Sequence, residues 1–246
     1  MKRFTTSLLL LTLYIGLCFS QKIEVLNKNE DFSFKKSPKE FYFISPDLEE
    51  SKGTKVADLK FYARDKGKRI SLVPVFYNLW KEANKLGANS FFVSEVSHDP
   101  KETRYDIIIE LYYLNEEEIE ENLDLYPENL IVIIGNVNTT NRNKVGKEFK
   151  LNDEDHALLP FEYLTYQNEP GNQVILKVGG AVGGAKMSII GETGKLPQFF
   201  SIEGTSITPA IGIGFGGGIG GGIAMRSGSI SQLDMNLGLF LMRILK

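Results

Sequence analysis

Apolar side chains in residues 21–114 change their spacing along the chain. Leu59, Phe61 and Ala63 alternate with Lys60, Tyr62 and Arg64, and Tyr105, Ile107, Ile109, Leu111 and Tyr113 alternate again. A period of two is the mark of a strand with one buried face. Residues 41–44 and 91–96 are short apolar runs of the same kind. Between them Leu72, Val75, Phe76, Leu79, Ala83 and Leu86 recur every three or four positions, which predicts a helix over residues 71–86 with one buried stripe. Pro74 suits the first turn, where its missing N–H costs nothing, and Gly87 suits the left-handed residue that closes a helix. The order predicts a small β-β-α-β-β domain of the α+β class.

The pattern changes twice more. Residues 115–128 carry Glu116, Glu117, Glu118, Glu120, Glu121, Asp124 and Glu128 and no basic residue, and read as a solvated acidic helix or linker. A calcium loop would need the Asp-x-Asp-x-Asp-Gly alternation that folds oxygens around one ion, and that is not written here. Residues 129–204 read as an all-β, sandwich-like domain. Residues 130–134 form one continuous apolar strand, Phe149, Leu151, Leu159, Phe161, Tyr163, Val174, Leu176, Val178, Phe199 and Phe200 mark others, and Asn152-Asp153, Glu169-Pro170-Gly171 and Glu192-Thr193-Gly194 are turn signals.

Residues 204–225 contain no charge. Ile211, Ile213, Phe215, Ile219, Ile223 and Met225 hold odd positions, and Gly212, Gly214, Gly216, Gly218, Gly220, Gly222 and Ala224 the even ones. A strand would gather these glycines on one bare face, whereas a helix would scatter them at about 1 kcal/mol each relative to alanine. Alternation resumes at Leu233, Met235, Leu237, Leu239 and Leu241 after Arg226-Ser227-Gly228-Ser229, so residues 205–246 are expected to form one long glycine-rich β-hairpin. Two roles follow from one bare and one apolar face. The preferred one completes the sandwich, with other groups packed close on the glycines. The other is membrane insertion or ring assembly, since a spanning strand needs an apolar outward face.

Residues 1–20 place Lys2 and Arg3 before an apolar run over 8–17 and a small-residue exit at Ser20, the layout of a signal peptide cleaved before Gln21. The run is shorter than the roughly 18 apolar residues of a membrane anchor. Cleavage would remove Cys18, the single cysteine, so the mature domains would hold no disulfide. The alternative of a lipidated Cys18 wants a small residue before it, and Leu17 is not small. With Lys2 and Arg3 gone, the formal charge falls from -3 to -5. That mild acidity argues against nucleic acid, whose phosphates need a concentrated basic face.

Candidate chemistry is sparse. His98 and His156 lie in different proposed domains, each read as a polar loop, and nothing resembles a zinc-binding H-E-x-x-H. Gly212, Gly214 and Gly217 fit G-x-G-x-x-G without the βαβ unit that gives the motif its meaning, and Gly179 to Lys186 misses the phosphate-loop spacing because Ala185 separates Gly184 from Lys186. Carboxylate pairs for glycoside hydrolysis are compatible with the composition, and Tyr112, Tyr113, Tyr126, Tyr163 and Tyr166 would be the candidates for a sugar platform. Strand-face packing is the plainer reading of those tyrosines. No catalytic, cofactor-binding or metal-ligating residue is assigned, and no cofactor is expected.

Residues 79–93, Leu-Trp-Lys-Glu-Ala-Asn-Lys-Leu-Gly-Ala-Asn-Ser-Phe-Phe-Val, resemble the L-x-x-x-A-x-x-L-G-A-N helix-to-strand turn of YbjQ-like domains and of Rcs-type stress-sensor outer-membrane lipoproteins. The resemblance implies a local fold and no activity, and the cysteines of those lipoproteins have no counterpart. Residues 129–204, with K-x-N-D, L-P-F-E-Y and P-G-x-x-V-x-L in order, are similar to small PEGA-like or DUF2846-like sandwich modules of bacterial envelope proteins. The reading that follows is a non-enzymatic, exported envelope protein acting by binding or structure, in the periplasm, outer membrane or cell surface. Its expected partner is an envelope protein or polymer. Membrane association through residues 205–246 and oligomer formation belong to the alternative, an outer-membrane component, and a hydrolase on envelope polymers stands third.

Overall fold

The computed structural model describes residues 21–34, 38–49, 52–64, 71–99, 104–137, 146–160, 162–179, 184–203, 206–213, 219–226 and 228–245. The signal-like segment, Phe161 and the glycines at 214–218 lie outside them. The fold is mixed α+β and largely β. Two compact units divide within the acidic helix: residues up to 44 with 49–119, and residues 45–48 with 120–246.

The first unit is a five-stranded sheet ordered β1-β3-β5-β4-β2. Its strands are β1 (Gln21–Leu26), β2 (Tyr42–Phe43), β3 (Thr54–Arg64), β4 (Ser90–Asp99) and β5 (Arg104–Tyr113). Only β2 and β4 run parallel. The edge strand β1 was not foreseen: its side chains show no buried face, and pairing with β3 holds it. Period two is obeyed where expected, since Leu59, Phe61, Ile107, Ile109 and Leu111 are all buried. Helix α1 (Leu72–Leu86) buries Leu72, Val75, Phe76, Leu79 and Ala83 as its stripe, while Leu86 is only half-buried. Gly87 closes it at φ 85°, a left-handed conformation that a side chain would strain, with its N–H returned to the last turn.

The acidic run is a helix, α2 (Glu116–Asp124). Its start is a capping box: Asn115 Oδ1 accepts the Glu118 N–H at 3.0 Å, and Glu118 Oε2 accepts the Asn115 N–H at 2.8 Å. Glu116, Glu117 and Glu118 sit at the positive end of the helix dipole, where carboxylates are favoured.

The second unit stacks two four-stranded sheets. One is ordered β15-β12-β6-β9, from β6 (Leu130–Gly135), β9 (Tyr163–Gln167), β12 (Gln198–Glu203) and β15 (Ser229–Leu233). The other is β11-β10-β7-β8, from β7 (Lys147–Leu151), β8 (Glu154–Leu158), β10 (Gln173–Val178) and β11 (Ala185–Ile190). Ile131, Ile133, Phe200 and Ile202 from the first meet Phe149, Leu151, Val174, Leu176 and Ile189 from the second in one buried cluster. The Asn152-Asp153 turn joins β7 to β8 with φ of 51° and 69°, the left-handed pair that tight hairpins demand.

The C-terminal expectation needs correction. Residues 235–244 are not the second arm of a hairpin but helix α3 (Met235–Ile244). The odd-position leucines also satisfy a helical stripe, because Leu237, Phe240, Leu241 and Ile244 fall three or four apart and are buried. Asp234 starts the helix by accepting the N–H groups of Asn236 and Leu237 at 2.9 and 3.1 Å. Gly238 lets α3 approach β12, since a Cβ there would lie 2.2 Å from Phe199 Cγ.

The hairpin's true partners are β13 (Ser206–Ile213) and β14 (Ile219–Arg226), which pair antiparallel with each other and with no other strand of the described residues. They prolong β12 and β15 of the first sandwich sheet in one register. Glu203 lies opposite Ser229, and three residues further along each arm Ser206 lies opposite Arg226.

Candidate functional site

Two places merit description, and each is built by a different accident of topology. In the first unit, β5 brings Tyr113 and Leu114 beside β2 and the segment before it, forming an open cleft of about 340 Å³. Lys39, Glu40, Tyr42, Tyr113 and Glu116 line it, with Asn89 at its wall. The wall is rigid for a stated reason. Asn89 is buried, its Nδ2 donates to the Leu114 carbonyl at 2.7 Å, and its Oδ1 accepts the Leu114 N–H at 2.8 Å. Its backbone joins the same strands: its N–H donates to Tyr112 O, and its carbonyl accepts the Tyr42 N–H at 2.8 Å. Asn89 thus clips three segments at the motif Leu-Gly-Ala-Asn, where Ala88 is also fully buried.

The cleft carries both signs of charge and two phenols. Burial and the nearby Glu40 carboxylate push the Tyr42 phenol above its ordinary value, so it stays a neutral donor at physiological pH. Tyr113 is exposed and its ring lies 5.9 Å from Phe32, which is 6.4 Å from Phe34. Such a surface offers apolar area, ring edges and a few hydrogen bonds.

The second place is the ribbon β13–β14. Its register sets Ile207 opposite Met225, Pro209 opposite Ile223, Ile211 opposite Gly221 and Ile213 opposite Ile219. Directly opposed residues share one face, so these eight form one face of the ribbon. Ser206, Thr208, Ala210, Gly212, Gly220, Gly222, Ala224 and Arg226 form the other.

The earlier candidates are dispersed. Both histidines lie in strands rather than in loops, because the β4–β5 and β7–β8 hairpins extend through polar sequence. His98 is in β4, and His156 in β8 stacks at 5.3 Å on Phe149. Among the described residues no group of three or more His, Cys, Asp or Glu is arranged to hold a metal. The five tyrosines divide between the units: Tyr112 and Tyr113 belong to one, and Tyr126, Tyr163 and Tyr166 to the other. Tyr112 donates to Glu110 at 2.6 Å, and Asn152 Nδ2 donates to the Tyr166 hydroxyl at 3.2 Å. Burial raises the phenol of Tyr126. Gly212 of the spurious glycine motif is a strand residue.

Sequence reasoning missed the second amide clip. Asn129, at φ 57°, donates from Nδ2 to Glu192 O at 2.8 Å and accepts the Glu192 N–H at 2.9 Å. An asparagine ahead of an apolar strand was the available signal. No helix among the described residues is long and apolar enough to cross a membrane, which leaves strands aside. No protein-family model, curated protein or solved structure matches the chain.

Proposed function

We propose that the chain is an exported, non-enzymatic protein of the cell envelope that works as a binding or structural module. The observation that carries the reading is the ribbon β13–β14, whose one charge is Arg226 at its root, an element otherwise given over to an apolar face and a face of small residues and prolonged beyond the strands that anchor it. The sequence of residues 1–20 supports export, and the phenol-lined cleft of the first unit supports binding of an envelope protein or polymer. A second reading, an oligomer-forming outer-membrane component, is favoured by the open edges of that ribbon, which pairs with no further strand among the described residues.

Fractionation of the host followed by native isolation tests the reading. The chain is expected in the envelope fraction, begun at Gln21 and held in a complex larger than one copy. Recovery from the cytoplasm with residues 1–20 intact would remove its basis.

A further inference from the structure

We propose that β13–β14 is a membrane-spanning arm, and that several copies of the chain set these arms edge to edge as a closed β-barrel across a lipid bilayer. The inference rests on the assembly reading above and names what the assembly contains.

Three features of the backbone and sequence converge on it. First, the arm has a rigid root. β12 is held between β15 and β6 inside the sandwich, and the same register continues from β12–β15 into β13–β14. Gly228, at the base of the returning arm, is buried so close to β10 that a Cβ would lie 2.7 Å from Val178 Cγ1.

Second, the two faces differ as a spanning strand requires. One carries five isoleucines, a methionine, a proline and a single glycine, and the other is small or polar, with its one charge, Arg226, at the root. Barrel strands in membranes alternate in this way between lipid and lumen. Eight paired residues in each arm make seven steps of about 3.4 Å, about 24 Å along the strand, and at the tilt of about 35–45° that barrels adopt they cover roughly 17–20 Å of an apolar band of about 25 Å, so the bilayer thins around the arms.

Third, the ribbon has two open edges. A lone two-stranded ribbon in lipid would strand a row of N–H and C=O groups at several kcal/mol each, so it enters only if neighbours pair with it. Placing β13 of one copy antiparallel to β14 of the next satisfies them. Pro209 has no N–H, so a ladder that keeps its pairing with β14 turns that position to the outer edge, where one donor is missing from the row. Two strands per copy give an even-stranded barrel, and the smallest barrels of about 8 strands would need about four copies.

The test uses the full exported chain with vesicles of phosphatidylcholine, whose headgroup brings no net charge. The unmodified protein is expected to float with the vesicles and to release a trapped dye. Ile211→Lys and Ile223→Lys, on the apolar face, should each reduce flotation roughly 30-fold or more, the lower end of the cost of a mid-bilayer lysine. Ala210→Lys, on the small-residue face, should float as the parent does. All three should melt with the parent, because the substituted positions lie beyond the β12–β15 pairing that anchors the ribbon. The arm is overturned if the unmodified chain stays with the soluble fraction, if Ala210→Lys loses as much as Ile211→Lys, or if Ile211→Lys lowers the melt, which would mean the face packs on its own β domain. Native mass separates the layers of argument: a multi-copy species that fails to float refutes the arm alone, and a non-floating monomer refutes the assembly reading with it.

Discussion

Asn89 and Asn129 do the same work in the two units, each turning its amide onto the N–H and C=O of one distant residue. At Asn89 the groups served belong to Leu114, which is buried. Asn89→Ala strands them and should cost about 1–3 kcal/mol for each group left unpaired. Asn89→Asp keeps the volume and the acceptor but sets a buried carboxylate oxygen against the Leu114 carbonyl, so it should lose at least as much in urea denaturation. Full recovery in this isosteric variant would show that side-chain volume, not the amide, matters there. Leu79 gives a companion measurement in the apolar core. It is 1 % exposed, and Leu79→Ala should cost about 2–5 kcal/mol, against a smaller loss for the half-buried Leu86→Ala. The helix stripe and the left-handed Gly87 were legible in residues 71–87, because each depends on neighbours a few positions away, whereas the partner of the Asn89 amide, Leu114, lies 25 residues on. The partner of Asn129 was not legible, since Glu192 lies 63 residues on.

At the scale of elements, α3 shows where period alone runs out. Residues 233–241 fit a strand by alternation and a helix by their spacing of three and four, and the Asp234 cap with burial against β12 decides for the helix. Asp234→Ala should cost about 0.5–2 kcal/mol by removing the acceptor for two first-turn N–H groups. Gly238→Ala sets two effects against each other. Alanine favours a helix by about 1 kcal/mol, but its Cβ would collide with the Phe199 ring at 2.2 Å, and overpacking of that kind costs about 1–3 kcal/mol. Loss of stability on chemical denaturation is therefore expected. A gain of about 1 kcal/mol would mean that α3 stands off from β12. The acidic helix α2 has a similar logic, with Glu118 serving both the capping box and the Gly53 N–H at 3.0 Å. What reads in sequence as a solvated charge run is in part a set of helix-start ligands.

At the scale of the molecule, the expected N-terminus ties processing to the fold. Gln21 opens β1 opposite Ala63, so cleavage after Ser20 would leave that edge strand whole. Mass spectrometry of the chain from its host should find Gln21 first, free or cyclised. A lipid on Cys18 would instead tether the chain to a membrane by its N-terminus and would replace the ribbon as the explanation of any flotation. The cleft of the first unit is a product of this scale too. Lys39, Glu40 and Tyr42 meet Tyr113 and Glu116 only because β2 and β5 flank β4 in the sheet order.

The sequence by itself determined what depends on short-range periodicity and local backbone preference: the alternation of β3 and β5, helix α1 with its ends, the tight turn at Asn152-Asp153, and the bare and apolar parities of residues 206–226. Tertiary structure alone decided what depends on which remote segments meet. It chose helix over strand for residues 235–244 by offering Phe199 as a surface for Gly238, and it paired Asn129 with Glu192. It also made the glycine-rich ribbon a prolongation of β12 and β15. The physical reason is common to these cases. Alternation specifies that one face must be covered, and carries no information about whether a helix, another sheet, a second copy or a bilayer covers it.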